Sequence, residues 1–196
     1  LEGRTLKQRL ESGPFTIDEA ISVMVAMAAA VEHAHSKGVL HRDLKPANVV
    51  QSDVGSWKVT DFGIARWENQ KAILTRTGTI IGTPDYLAPE VVKGETPTAA
   101  ADLYALGVMF FELVAGRLPF DFESVADTLH AHQVMTPPSL QSLAPQVPAA
   151  LDSLVSRLLA KAPKDRPSCA ADLVSALSRV DGTRSVSTGS ATVALT

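Results

Sequence analysis

The sequence predicts a mainly α-helical fold, a helical bundle around one buried central helix, with a single small β-hairpin. Three observations predict it. Leu103 to Ala115 is apolar almost all round, yet it is flanked by Asp102 and interrupted by Glu112, which fits a buried helix better than a membrane span. Thr16-Ile17-Asp18-Glu19 has the Thr-x-x-Glu spacing of a capping box and opens a long run rich in Ala, Met and Val. Two strand-like runs, Val49-Val50 and Trp57-Lys58-Val59-Thr60, are joined by the turn-forming Ser52-Asp53-Val54-Gly55, as a hairpin requires.

In chain order, Leu1-Glu2-Gly3 reads as the end of a linker, and Thr5 to Glu11 as a short helix stopped by Gly13-Pro14. The helix opened by Thr16 runs to about Lys37, where Gly38 is placed to end it. His33 and His35 lie near its end. Their i,i+2 spacing puts them on different faces, so they read as structural or surface residues rather than a metal pair. The hairpin follows. Ile64 to Pro84 has no strong period and carries Thr75, Thr77, Thr79 and Thr83 with Gly78 and Gly82; a loop this long is usually functional or disordered. Asp85 to Val92 reads as a short helical turn. Thr98 is placed to cap the central helix and Gly116 to stop it. Asp102, in the first turn of that helix, needs partners if it is buried, and nearby backbone donors are the expected ones.

Beyond Leu118-Pro119-Phe120, a helix is expected from about Glu123 to His132. A loop punctuated by Pro137, Pro138, Pro145 and Pro148 comes next, then an amphipathic helix from Ala149 to Leu159. The segment from Lys161 to Pro167 breaks it, and Ser168 to Leu177 makes a last helix. From Asp181 to Thr196 the chain is small and polar and reads as a flexible Ser/Thr-rich linker, leaving residues 1–180 as the folded unit.

Composition narrows the classes. At 196 residues the chain suits one domain with a sizeable core. A formal net charge of −3 gives no basic excess for nucleic acid. Cys169 is the only cysteine, which excludes an internal disulfide and a Cys-rich metal site and suits a reducing compartment. Leu1 to Leu10 is too polar and charged for a signal peptide, and the chain does not begin with Met, so a piece of something longer is expected.

The chemistry concentrates in His41-Arg42-Asp43-Leu44-Lys45-Pro46-Ala47-Asn48, where a carboxylate, a cation and an amide fall within six residues. Thirteen residues past Asn48 comes Asp61, in Asp61-Phe62-Gly63, and the hairpin would bring the two close together. Phosphoryl transfer needs such a group: a carboxylate to accept or orient a proton, oxygen ligands for magnesium, and a cation for the moving phosphoryl. His, Arg, Asp, Leu and Asn at these spacings arise by chance in a chain this long with a probability on the order of 10⁻⁴. The pattern matches the H-R-D-L-x-x-x-N element of protein kinases, followed in order by D-F-G and A-P-E.

On these motifs the chain resembles a protein kinase. Roughly Leu1 to Val180 is similar to the C-terminal lobe of a bacterial-type (Hanks-type) Ser/Thr protein kinase, with the hairpin carrying the catalytic and Asp-Phe-Gly segments. Lys45 in Asp-Leu-Lys-Pro-x-Asn and Thr83 in Gly-Thr-Pro suggest Ser/Thr specificity. The resemblance implies Asp43 as catalytic base, Lys45 meeting the transferred γ-phosphate, and Thr83 supporting both at the peptide edge. It implies Asn48 and Asp61 as magnesium ligands and Val50 as part of the floor under adenine. ATP and magnesium, or manganese in its place, are the implied cofactors. Asp102 would brace the catalytic loop, and Glu90 would pair with Arg166. Arg42 would engage a phosphate on the loop that follows, for which Thr75 and Thr77 are the best-placed acceptors and Thr79 a weaker one.

Within these 196 residues there is no Gly-x-Gly-x-x-Gly, no Val-Ala-Ile-Lys and no helix glutamate to pair with that lysine. An N-terminal lobe is therefore expected as a partner, with protein Ser/Thr acceptors as substrates, and weak or absent activity is expected from the chain alone. A non-catalytic pseudokinase-like scaffold is the alternative, and a small-molecule kinase of related fold a third. The expected location is cytoplasmic, with membrane anchoring of a parent protein beyond residue 196 left open.

Overall fold

Thr16 and Glu19 close a reciprocal box at the start of the longest early helix. The Glu19 amide donates to Thr16 Oγ1 at 3.3 Å, and the Thr16 amide donates to Glu19 Oε2 at 2.9 Å. Two otherwise orphaned backbone donors are thereby satisfied. A second box, Thr5 with Gln8, opens the preceding helix, at 3.1 and 2.9 Å. The computed structural model describes residues 3–53, 55–62 and 84–187. The helices are α1 (Leu6–Leu10), α2 (Ile17–His35), α3 (Pro89–Val92), α4 (Ala99–Ala115), α5 (Val125–Val134), α6 (Leu140–Leu143), α7 (Ala149–Leu158) and α8 (Ala170–Ser187). The strands are β1 (Val49–Gln51) and β2 (Trp57–Val59), antiparallel, with Val49 opposite Val59 and Gln51 opposite Trp57. The predicted class, helices around one buried helix with a single hairpin, is the observed one.

α4 is the axis of the core. Of its 17 residues, 13 are buried, so it has no solvent face and packs against α2, α6 and α7. Its contact with α7 is close enough to require glycine: a Cβ on Gly107 would lie 2.6 Å from Leu158 Cβ. Gly116, at φ 69°, ends the helix in the left-handed conformation that glycine adopts without steric cost.

Three local readings change. Thr98 holds the N-cap position of α4, but its hydroxyl makes no cap hydrogen bond. α6 forms inside the stretch expected as a proline-punctuated loop, whereas α5 starts about where expected, with Ser124 accepting from the Asp127 amide. α8 continues past Leu177 to Ser187, into the stretch whose composition suggests a linker from Asp181. α8 packs along α2, and extending a helix that is already nucleated and packed fixes one residue per added hydrogen bond. A lone Gly182 costs about 1 kcal/mol against that and does not stop it. No helix among the described residues is long and apolar enough to cross a membrane.

Candidate active site

The segment after α2 is held from three sides. His41 is fully buried; its Nε2 lies 2.9 Å from Thr60 O and its ring 4.6 Å from that of Phe62. Its Nδ1 accepts from the Asp43 amide at 3.3 Å. An accepting Nδ1 places the ring proton on Nε2, which donates to Thr60 O, and burial holds the imidazole pKa below its ordinary value. A neutral ring of fixed tautomer thus ties the start of the loop to the end of β2.

Asp102 supplies the second restraint. Its Oδ2 accepts from the His41 amide at 2.8 Å and its Oδ1 from the Arg42 amide at 2.9 Å. Between them the backbone turns sharply, with Arg42 at φ 66°, a left-handed conformation that costs a non-glycine residue about 1–3 kcal/mol. The turn re-aims the chain so that Asp43 leaves it beside Lys45 and Asn48. Lys45 Nζ lies 3.1 Å from Asp43 Oδ1 and 3.0 Å from Oδ2. Asn48 donates from Nδ2 to Asp43 O at 2.8 Å and to Asp43 Oδ2 at 3.2 Å. Asp43 and Lys45 keep 14% and 16% of their side-chain surface open, enough for a reactant to reach them.

The hairpin is the third restraint. Thr60 continues the β1–β2 register by donating from its amide to Asn48 O at 2.9 Å. Asp61 comes immediately after, exposed and at φ 57°, with Oδ2 accepting from Thr60 Oγ1 at 3.3 Å. Asn48 and the residue before Asp61 are therefore direct cross-strand neighbours. Val50 lies on β1, opposite Lys58, and bridges to Thr5. Thr83, Thr75, Thr77 and Thr79 lie outside the described residues, as does Gly63.

Beside Lys45 opens a cavity of about 530 Å³, with Lys45, Pro46 and Ala47 on one wall and Tyr86, Asp85 and Glu112 on another. Tyr86 donates from its hydroxyl to Glu112 Oε2 at 2.7 Å. Burial, followed by the neighbouring acids, pushes the Tyr86 phenol up; burial also raises Glu112 and Asp85 above the usual carboxylate range. That wall is acidic and partly desolvated.

Away from the cavity, Arg166 donates to Glu90 Oε1 at 2.7 Å and Oε2 at 2.8 Å, with each residue 4% exposed. Its remaining donors reach Ala100 O, Ala160 O and Lys161 O, and the guanidinium lies 4.9 Å from the Tyr104 ring centroid. All five N–H groups are used. This fixes α3 to the first turn of α4 and to the segment after α7.

The sequence reading missed His35. Its Nε2 lies 2.8 Å from Asp102 Oδ2 and its side chain is 9% exposed. A histidine in the last turn of a long helix just ahead of a functional loop is a signal, but its partner is 67 residues away.

Residues 1–176 match the protein kinase domain family. The chain is 42% identical over 167 residues to the Lactococcus lactis protein named "Probable serine/threonine-protein kinase PknB", covering 85% of this chain and 26% of that one. It is 38% identical over 174 residues to the serine/threonine-protein kinase PrkC of Bacillus subtilis, covering 88% and 27%. It is 41% identical over 172 residues to the serine/threonine-protein kinase PkaA of Streptomyces coelicolor, covering 86% and 31%. The chain spans about a quarter to a third of the length of these curated relatives. With the match running over nearly all of its folded part, and with Asp43, Lys45 and Asn48 gathered at one loop, this chain belongs to the protein kinase domain family.

Proposed function

We propose that this chain supplies the catalytic loop and the acceptor-binding face of an ATP-dependent protein kinase acting on Ser and Thr side chains of protein substrates. The observation that carries the reading is the contact of Lys45 Nζ with both Asp43 carboxylate oxygens, at 3.0 and 3.1 Å, with Asn48 holding the same residue from the other side. The names of the relatives, all serine/threonine-protein kinases, support the class.

In this reading Asp43 accepts the hydroxyl proton of the substrate as its oxygen attacks the γ-phosphorus of ATP. The new O–P bond forms as the bond from the γ-phosphorus to the β,γ-bridging oxygen breaks, and ADP leaves. The Lys45 ammonium balances charge on the transferred phosphoryl. Asn48 and Asp61 would hold magnesium, which when bound neutralises phosphate charge. The donor set fits: Asn48 has committed its Nδ2 to Asp43, which leaves Oδ1 as its ligand atom, and Asp61 offers an exposed carboxylate. Two protein oxygens suit an ion that keeps several waters and substrate oxygens, and manganese accepts the same set. Val50 would lie under the adenine, Thr83 would support Asp43 and Lys45, and the cavity beside Lys45 would take the acceptor segment. Arg42, whose buried Nε has no partner among the described residues, would meet a phosphate on Thr75 or Thr77.

The test uses ATP, magnesium and a generic Ser/Thr protein acceptor. We expect negligible transfer from these 196 residues alone, transfer from the protein that joins them to a Gly-rich loop and strand lysine, and loss of that transfer in its Asp43→Asn variant. Robust turnover by this chain alone would overturn the half-site reading. An inactive complete protein that still engages its targets would replace the enzyme with the scaffold.

A further inference from the structure

We infer that His132 is a positioning residue for the acceptor-binding wall at Asp85 and Tyr86, acting through α5. The inference rests on the reading of the cavity beside Lys45 as the acceptor site. No broad apolar stripe places α5: of its residues only Thr128, Leu129, Ala131 and His132 are buried. Polar contacts grip its last turn instead. His132 is fully buried, and its Nδ1 lies 2.8 Å from the Tyr104 hydroxyl of α4. Its ring meets that of Phe120 edge to face, with centroids 5.1 Å apart. Lys161 donates to two carbonyls of the same turn, Ala131 O at 3.3 Å and His132 O at 2.9 Å. The Lys161 ammonium also lies 4.5 Å from the Phe120 ring centroid. Side chain and backbone of His132 are thus both fixed to the core behind α5.

From α5 the contacts lead to the cavity. The helix packs against α3 and against the turn Pro84–Tyr86. That turn, closed by the Leu87 amide on Pro84 O at 3.2 Å, carries Asp85 and Tyr86 into the cavity wall. The Tyr86 side chain is held by Glu112 of α4, whereas the backbone of the turn has α5 behind it. Burial keeps the Tyr104 phenol protonated, so it donates to His132 Nδ1 and leaves the ring proton on Nε2. Nε2 makes no hydrogen bond of full geometry among the described residues, but the Asp85 backbone lies close enough to favour its proton. Histidine therefore does two things here that an apolar side chain of similar bulk does not. It fixes α5 to Tyr104 in one orientation, and it presents an N–H to the backbone of the wall. Asp43, Lys45 and Asn48 are held by other residues, so the effect falls on acceptor affinity and not on phosphoryl transfer.

The test is acceptor kinetics in the complete kinase, for wild type, Tyr104→Phe, His132→Leu and His132→Asn. Tyr104→Phe deletes the hydroxyl and keeps the ring that packs on Arg166. In His132→Asn the carboxamide oxygen can accept in place of Nδ1. Tyr104→Phe and His132→Leu should each raise the acceptor KM at least fivefold, with kcat and the ATP KM within twofold of wild type. His132→Asn should recover most of the lost acceptor affinity. An unchanged acceptor KM in Tyr104→Phe, the milder variant, would overturn the inference whatever the fate of His132→Leu. So would an equal rise in the ATP KM, or an Asn variant no better than Leu. Amide hydrogen exchange on the full 196-residue chain gives a readout without catalysis. In Tyr104→Phe the Leu87 amide should exchange at least fivefold faster, while Leu106 and Met109 in α4 stay within twofold; an equal loss across α4, or no change at Leu87, would also count against the inference. A wild-type protein with no turnover would refute the kinase reading alone, because Leu87 exchange still reports the hold of His132 on the wall.

Discussion

Glu90 and Arg166 face each other through two parallel hydrogen bonds, 2.7 and 2.8 Å long, in a site where each residue is 4% exposed. The geometry is the planar fork that a guanidinium offers a carboxylate. Removing one partner leaves the other charged and buried. Arg166→Met should therefore destabilise the fold by about 3–5 kcal/mol in urea or thermal unfolding. Arg166→Lys should recover little, because an ammonium has three donors against the five used here. The double replacement Glu90→Met with Arg166→Met should cost clearly less than Arg166→Met alone, because no unpaired charge remains. A double variant as unstable as the single one would show that the lost bonds to Ala100, Ala160 and Lys161, not the ion pair, carry the stability.

Gly107 marks the closest approach of α4 to α7. A methyl group there would sit 2.6 Å from Leu158 Cβ and 3.3 Å from Leu158 backbone carbon, so the helices must separate. In an exposed helix Gly→Ala gains up to about 1 kcal/mol from propensity. Here overpacking reverses the sign, and Gly107→Ala should lose about 1–3 kcal/mol in denaturant unfolding. Pairing it with Leu158→Ala should restore part of that loss; strict additivity of the two would refute the clash.

The fold should weaken in mild acid through His132. This imidazole is fully buried, its Nδ1 lies 2.8 Å from the Tyr104 hydroxyl, and its Nε2 has no partner among the described residues. Burial, with the nearby Lys161 ammonium adding to it, holds its pKa down to about 4, against 6.5 for the free group. Below pH 6.5 the unfolded chain takes up a proton that the folded chain refuses. Stability therefore falls as pH drops from about 6.5 to about 4 and this contribution levels off below that, by about 3 kcal/mol in total. Burial of His41 acts in the same direction. Urea midpoints measured between pH 7 and 4.5 should slope less in His132→Gln than in wild type. Parallel slopes would assign the acid sensitivity to other groups.

Asn48 links the loop to the hairpin, donating to Asp43 from its side chain and accepting from the Thr60 amide through its backbone. Asn48→Ala should cost about 1–3 kcal/mol of stability, because Asp43 O loses its donor in a half-buried place. In the complete kinase it should also raise the magnesium concentration needed for half-maximal rate. Asn48→Asp keeps an oxygen ligand but sets a second carboxylate against Asp43, and should impair the enzyme without matching the Ala variant's magnesium dependence. Equal magnesium curves for all three proteins would remove Asn48 from the ion site.

The elements legible in the sequence are those whose cause is local. Thr16 and Glu19 are three residues apart, and the hydrogen bonds they make follow from that spacing. The apolar run from Leu103 to Ala115 became the buried axis because a helix with no polar face has nowhere else to go. The hairpin needed only two short β-prone runs and a turn. Local signals also misled in small ways. Thr98 has the right identity and position for a cap, yet makes no cap bond, and α8 outran a composition that suggested a linker.

By itself, then, the sequence determined the long helices in outline, the hairpin, and the presence of Asp43, Lys45 and Asn48 at one loop, because each depends on residues within a few positions of one another. What holds that loop lay beyond local spacing: the resemblance alone named Asp102 and the Glu90–Arg166 pair, and the tertiary structure supplies the contacts. Asp102 meets the amides of His41 and Arg42 across 61 and 60 residues, His35 meets Asp102 across 67, and Arg166 reaches Glu90 across 76. No spacing rule joins such pairs. They form because α2, α4 and the segment before α8 pack at fixed distances, and a buried charge in that packing is stable only where donors and acceptors arrive together.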